Sequence, residues 1–483
     1  MKEWSKEMLY RELKNPDEIK GLHDKVKESV YRQTYHIQPT CGLLNDPNGF
    51  ICHNGIFHLF YQWCPWGAVH GLKYWYHTTS NDLIHWKNEG IALKPDTYLD
   101  NRGVYSGTAL LDGDKINLYY TGNHRDEDWT RTAFTCLASL NPDGSFTKKE
   151  NPLFGPAEGF TEHQRDPKII FNNELNKYFI ILGAQDENAR GCALLYSSDY
   201  PDKDFKFVNK ILVPGFEEFG NMWECPSLEH IDGKDVLIFC PQNITLPGRS
   251  YAQHHNGYII GSMDFEEAVF IPDSEFIELD SGFDHYAAQC AANTDRHVIL
   301  GWMGNPDCTY PPTDEEDWAG CMTLPRELHI EDNKLIQTPV KEIEKIRGAE
   351  LPSDTKELPL AAELDITSDG NDFYISLFKN RHARGLMISY NSSTKKLGID
   401  RSGLKNRINT NWGESRTKVL DNPLTKLRIF IDHSSIEIFV NDGEAVFSGR
   451  IFPTEEEKQF VVSPNATCHI YNINPSVTDD FII

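Results

Sequence analysis

Five short polar segments of this chain carry side chains that could do chemistry, and they recur at nearly equal intervals. From Asp46, in Asn45-Asp46-Pro47-Asn48-Gly49, it is 60 residues to Ser106 in Tyr105-Ser106-Gly107 and another 60 to Asp166 in Arg165-Asp166-Pro167. Glu224, in Trp223-Glu224-Cys225-Pro226, follows 58 later, and Asp284, in Phe283-Asp284-His285-Tyr286, 60 beyond that. Carboxylates gathered in one pocket perturb one another, because like charges raise one pKa and leave the others ionised. Cleavage of a glycosidic bond uses that arrangement, with one acid protonating the leaving group and one carboxylate attacking. Asp46, short and fixed by turn-forming neighbours, suits a nucleophile. Glu224 lies between Trp223 and Cys225-Pro226, an apolar setting expected to raise its pKa and suit a general acid. Asp166, beside Arg165, is expected to stay ionised and to hold sugar hydroxyls in an oxocarbenium-like transition state. A calcium site built from the same carboxylates is the chemical rival, although no Asp-x-Asp-x-Asp loop accompanies them.

The period itself says what must position these groups. Recurrence at a fixed interval marks a repeat architecture, and a propeller repeats one four-stranded blade. The expectation is an all-β chain, with a five-bladed β-propeller over residues 35–335 followed by a C-terminal β-sandwich over 351–483. The first strand of each blade lines the channel, so Asp46, Ser106, Asp166, Glu224 and Asp284 are expected to converge. Asn45–Gly49 reads as a turn at the end of a hairpin whose strands, Phe50-Ile51 and Ile56–Gln62, join at His53-Asn54-Gly55. Residues 1–34 read as two short helices broken at Asn15-Pro16 and packed outside the propeller; 336–350 read as a linker. The sandwich is expected to brace the propeller or to mediate association, which makes a homodimer one expectation.

Composition narrows the partners. With 72 acidic against 47 basic residues the net charge is -25, which disfavours nucleic acid and anionic membranes. Eleven cysteines, with no CxxC pair or zinc-like spacing, fit free thiols in a reducing cytoplasm. The charged start has no apolar core of a secretory signal, and no transmembrane run is visible. A soluble cytoplasmic protein is expected.

Several of these segments together resemble glycoside hydrolase family 32, which includes invertases, fructanases and sucrose-6-phosphate hydrolases. They are Asn45-Asp46-Pro47-Asn48-Gly49, Phe60-Tyr61-Gln62, Tyr105-Ser106-Gly107, Arg165-Asp166-Pro167 and Glu224-Cys225-Pro226. Gly282–Ala287, Gly301-Trp302-Met303, Thr323-Leu324-Pro325-Arg326 and Asp432–Glu437 continue the likeness into the second half. The resemblance implies retaining hydrolysis of a β-fructofuranosyl bond of sucrose-6-phosphate or sucrose, with no cofactor and no metal. It implies Asp46 as nucleophile, Glu224 as acid/base and Asp166 as transition-state stabiliser, the two reacting carboxyls about 5–5.5 Å apart. Asn45, Gln62, Tyr105, Ser106 and Arg165 would contact the fructosyl unit. Trp66 and Trp75 are aromatic candidates for sugar contact. Two departures are visible: Trp75-Tyr76-His77-Thr78 replaces a Trp-Gly-His-Ala pattern, and His70-Gly71 is followed by Leu72-Lys73. The second resembles the bacterial intracellular branch and makes Lys73 a candidate phosphate contact, with Arg125, Arg249, His254 and His255 on later loops. Fructan hydrolysis and fructosyl transfer are the alternatives within the class; a non-catalytic sugar-binding propeller is the alternative outside it.

Overall fold

The computed structural model describes residues 3–246 and 253–483. Five antiparallel sheets follow one another in the first two thirds of the chain, each built outward in chain order from an inner strand. The inner strands are Gly42–His53, Val104–Asp112, Phe160–Asn172, Met222–Ile231 and Tyr286–Cys290. Each packs against the next, and the fifth returns to the first, which closes a five-bladed propeller. Closure has two fasteners. Trp318–Ala319 adds to the first blade as a parallel strand, pairing Gly42 with Trp318 and Leu43 with Ala319. Cys52 N donates to Ala292 O at 3.0 Å, and Ala292 N to Phe50 O at 2.9 Å.

Every inner strand is bulged at the same height. The register against the neighbouring strand slips between Leu44 and Pro47, Tyr105 and Gly107, Arg165 and Lys168, Glu224 and Ser227, and Tyr286 and Gln289. A bulge sets two residues opposite one, increases local twist and re-aims a side chain. The cost is visible in the backbone, since Asp166, Cys225 and Ala287 take left-handed φ of 66°, 48° and 51°. This repeated bulge is what the period of about 60 records.

Two expectations are corrected here. Asn45–Gly49 is not a hairpin-end turn; it lies inside strand Gly42–His53, where the bulge absorbs residues that otherwise break strands. The turn proper is Asn54-Gly55, with φ of 50° and 77°, as a two-residue hairpin requires. In the fifth blade the bulge falls at Ala287-Ala288, so Tyr286 rather than Asp284 faces the others. Asp284 is buried elsewhere, accepting from Tyr310 Oη at 2.6 Å and Arg450 N at 2.8 Å.

Residues 336–350 do not form a free linker. Lys334–Pro339 completes the fifth blade, Lys341–Ile346 is a 3-10 turn, and Arg347–Glu350 is an edge strand of the second unit. That unit is a β-sandwich of one six-stranded and one five-stranded sheet with its own apolar core. A buried polar seam joins it to the propeller. Glu437 accepts from Arg326 Nη2 at 2.7 Å and Leu324 N at 2.6 Å, and lies 3.1 Å from His36 Nε2. Asp432 accepts from Thr34 N at 2.7 Å and Tyr35 N at 2.9 Å, with His36 Nδ1 at 2.9 Å. Helices Lys6–Leu9 and Asp17–Lys27 precede the propeller, the second with Asp17 and Glu18 in its first turn and Lys25 and Lys27 in its last.

Candidate active site

The bulges of four blades and the start of the fifth inner strand open on one cavity of about 280 Å³, which Asp46, Asp166 and Glu224 line together. Asp46 is held on both oxygens. Ser106 Oγ donates to Oδ2 at 2.6 Å, Gln62 Nε2 to the same atom at 3.2 Å, and Asn45 Nδ2 to Oδ1 at 3.1 Å. Gln62 also reaches Ser106, and Lys73 Nζ donates to Asn45 Oδ1 at 2.5 Å, so the carboxylate sits in a chain of fixed donors. Asn48 stiffens the bulge behind it, donating to Asp46 O at 2.9 Å and accepting from Gly107 N at 3.0 Å.

Arg165 governs the other side. Its Nη2 lies 2.6 Å from Glu224 Oε1 and its Nε 3.1 Å from the same oxygen, whereas the nearest approach to Asp166 is 4.0 Å. Tyr286 Oη donates to Glu224 Oε2. Asp166 accepts from Cys225 N at 2.9 Å, and its own N donates to Thr121 Oγ1 at 2.8 Å.

These contacts reverse the charge pattern expected from sequence. Burial pushes the Glu224 carboxyl up, but the Arg165 charge and the hydrogen bonds from Tyr286 and Arg165 outweigh it and hold Glu224 down at about 2. Burial raises Asp166 to about 7; Arg165 opposes this and the Glu224 charge adds to it. Neighbours along the chain suggested the opposite pairing, yet the left-handed φ at Asp166 swings it away from Arg165 and toward Cys225 N. Asp46 is raised by burial, with Ser106 and Asn45 pulling it back and the Glu224 charge adding to the rise. Burial lowers Lys73 to about 8.

The remaining expected contacts divide. Asn45, Gln62, Lys73, Tyr105 and Arg165 line the cavity, and Ser106 reaches it through Asp46. Trp66 does not; its ring packs against the segment before the propeller, and Nε1 donates to Arg11 O at 2.7 Å. Trp75 is buried behind the wall, donating to Tyr105 O at 3.1 Å. Of the other basic candidates, His254 lines the mouth and lies 2.9 Å from Asp307, while His255 is buried against Glu278. Arg125 stacks on Trp129, and Arg249 lies outside the described residues. Sequence reasoning passed over Tyr10, Gln242 and Trp302 as wall residues, and gave Tyr286 no role of its own. The Tyr286 signal was present, since it stands 62 residues after Glu224 and directly before the fifth bulge. Tyr10 has no such signal, because it belongs to no repeat.

Residues 36–339 match the model of the glycosyl hydrolases family 32 N-terminal domain, and residues 329–475 that of the family 32 C-terminal domain. The sucrose-6-phosphate hydrolase of Staphylococcus xylosus is 38% identical over 475 residues, covering 94% of either chain. That of Bacillus subtilis is 36% identical over 458 residues, covering 90% of this chain and 92% of its own. Among solved structures, sucrose-6-phosphate hydrolase from Lactobacillus gasseri superposes with a TM-score of 0.92 at 37% identity, over 98% of this chain and 100% of that one. A family 32 beta-fructofuranosidase of Bombyx mori gives 0.82 at 30% identity, over 96% and 100%.

Proposed function

From its membership of glycoside hydrolase family 32, we propose that this chain hydrolyses the β-fructofuranosyl bond of sucrose-6-phosphate, and of sucrose, by double displacement with retention. One observation carries the assignment: three carboxylates, each at the bulge of a different inner strand, line a single cavity. Asp46 attacks the anomeric carbon. Its donors Ser106, Gln62 and Asn45 fix the aim of the carboxylate and keep it ionised against the burial that raises its pKa. Glu224 protonates the leaving-group oxygen and then, as base, activates water on the glycosyl-enzyme. Asp166 accepts hydroxyl hydrogens of the fructosyl ring and stabilises the positive charge that develops on it.

The proton needed by Glu224 is supplied within the cluster. Asp166, near 7, holds it more readily than Glu224 does while Arg165 grips Glu224. Sugar hydroxyls donating to Asp166 favour its ionised form, and a leaving-group oxygen against Glu224 competes with Arg165 for that carboxyl. Substrate binding thus moves the proton to the atom that must deliver it. The finer reading is a cytoplasmic enzyme, the compartment where a phosphorylated sugar is met. In support, all eleven cysteines are free, and among the described residues no helix is long and apolar enough to cross a membrane.

The decisive experiment is kcat/KM on sucrose-6-phosphate and sucrose side by side, with Glu224→Gln as control. A preference of about a hundredfold for the phosphorylated sugar, about 2.7 kcal/mol of transition-state binding, is the expected result. Equal rates would make this an invertase without phosphate recognition. Sugar binding without cleavage by the unaltered protein would overturn the enzymatic reading. Glu224→Gln should lose far more on sucrose than on an aryl fructoside, whose leaving group needs no proton.

A further inference from the structure

The stretch before the propeller does not simply pack on its flank. Leu72 N donates to Leu9 O at 2.8 Å, Trp66 Nε1 to Arg11 O at 2.7 Å, and Leu13 N to Tyr74 Oη at 2.8 Å. The Arg11 guanidinium stands 4.1 Å over the Trp66 ring. These contacts fasten residues 9–13 to the loop and strand of the first blade. On the opposite side Lys6 Nζ lies 3.1 Å from the centroid of the Trp129 ring, in the second blade. Arg125 and Arg102 stack on the same ring at 5.2 and 5.4 Å. Between the two fastenings, Tyr10 meets Trp129 edge-on at 5.2 Å and forms part of the cavity wall beside Tyr105.

The position in the cavity matters. Asn45, Gln62, Ser106 and Asp166 are buried and make the floor, whereas Tyr10 is half-buried and His70 and Pro306 are exposed, which places these three at the mouth. A fructosyl unit held by the floor directs its leaving group toward the mouth. An aromatic ring held edge-on by Trp129, on a backbone fastened to the first blade, offers that group a rigid apolar face. Tyr10 lies before residue 36, where the match to the family's N-terminal domain begins.

We propose that Tyr10 determines specificity. Held by Trp129, it packs against the leaving group of a short substrate and narrows the mouth against longer ones. The proposal rests on the reading of this pocket as one that cleaves a fructosyl disaccharide. Trp129 touches Tyr10 rather than the cavity and acts as a positioning residue.

The test compares kcat/KM on sucrose-6-phosphate or sucrose, on a fructosyl trisaccharide, and on methyl β-fructofuranoside, which lacks a second ring. Tyr10→Ala should lower the disaccharide value about tenfold, mainly through KM, and change methyl fructoside by no more than about twofold. The trisaccharide-to-disaccharide ratio should rise about tenfold, and Trp129→Ala should shift it the same way, while Tyr10→Phe retains the original preference. Equal losses on the disaccharide and methyl fructoside would mean that the segment is structural and would overturn the proposal, as would an unchanged ratio. An unaltered enzyme that cleaves no disaccharide would overturn the activity reading and this proposal together. Normal disaccharide cleavage with an unmoved ratio in Tyr10→Ala would overturn this proposal alone.

Discussion

Arg165 sets the charge of the pocket. By placing its fork on Glu224 and leaving Asp166 at 4.0 Å, it gives two neighbouring carboxyls opposite shifts. The catalytic form needs Asp46 ionised and one proton shared by Asp166 and Glu224, so the pH profile of kcat/KM should be bell-shaped. Its alkaline limb should fall as pH rises through about 7, where Asp166 loses that proton. The acid limb should lie above the ordinary 3.8 of an aspartate, because burial raises Asp46. Tyr286→Phe removes a donor that favours ionised Glu224, so Glu224 keeps its proton to higher pH. In that variant kcat should fall because the carboxyl loses its orientation, while the alkaline limb, set by the proton on Asp166, stays at about 7. An unchanged kcat would detach Tyr286 from the acid. The identities of the three carboxylates were legible from residue type and spacing. Their protonation pattern was not, since it depends on which way Arg165 points, and adjacency along the chain gave the wrong partner.

At the scale of the element, the bulge rather than the strand is the functional unit. It lets residues such as Pro47, Pro167 and Pro226, each within or beside a register slip, sit in a sheet without breaking it. Glycines test this well. A Cβ at Gly107 would lie 1.9 Å from Tyr119 O, so Gly107→Ala must force apart the first two strands of the second blade and carry Ser106 with them. Gly55, at φ 77° in open space far from the cavity, carries only backbone strain. Thermal unfolding and kinetics should therefore separate the two. Gly55→Ala should cost about 1 kcal/mol with kcat unchanged, whereas Gly107→Ala should lower both stability and kcat, the latter at least about tenfold. The repeat was visible in the sequence as a period. The bulge beneath it was not, because Asn-Asp-Pro-Asn-Gly has the composition of a turn and only pairing with Phe60 and Tyr61 shows it to be a strand. The same cause misplaced the fifth member by two residues, at Asp284 instead of Tyr286.

The whole molecule is two β units joined by buried charge. His36 is squeezed between Asp432 and Glu437; burial works against its charged form, but the hydrogen bonds it donates to both carboxylates raise it to about 9. A histidine raised in the folded state stabilises fully below its ordinary 6.5 and loses that contribution as pH climbs through about 9. The seam should accordingly loosen on the alkaline side, read as a falling Tm between those limits, and His36→Gln should flatten that slope. Glu437→Gln leaves Arg326 with Asp280 and His36 with Asp432 as their remaining counter-charges and should cost about 1–3 kcal/mol, with propeller and sandwich melting together. Asp432–Glu437 could be read from sequence only as one more segment of the resemblance. Its work as a clamp depends on contacts that span about 400 residues of chain to Thr34, Tyr35 and His36 and 111 residues to Arg326, and these leave no local trace.

The fastening of the ring also fixes an order of events during synthesis. The strand bearing Asp46 emerges from the ribosome first among the blades, yet its edge at Gly42-Leu43 stays unpaired until Trp318-Ala319 has been made. For some 275 residues of elongation that edge is open to any passing strand, and chaperones have most reason to guard it there. The first catalytic group to be translated is the last to be locked in place, so a nascent chain acquires no active centre piecemeal: it has none until the circle shuts.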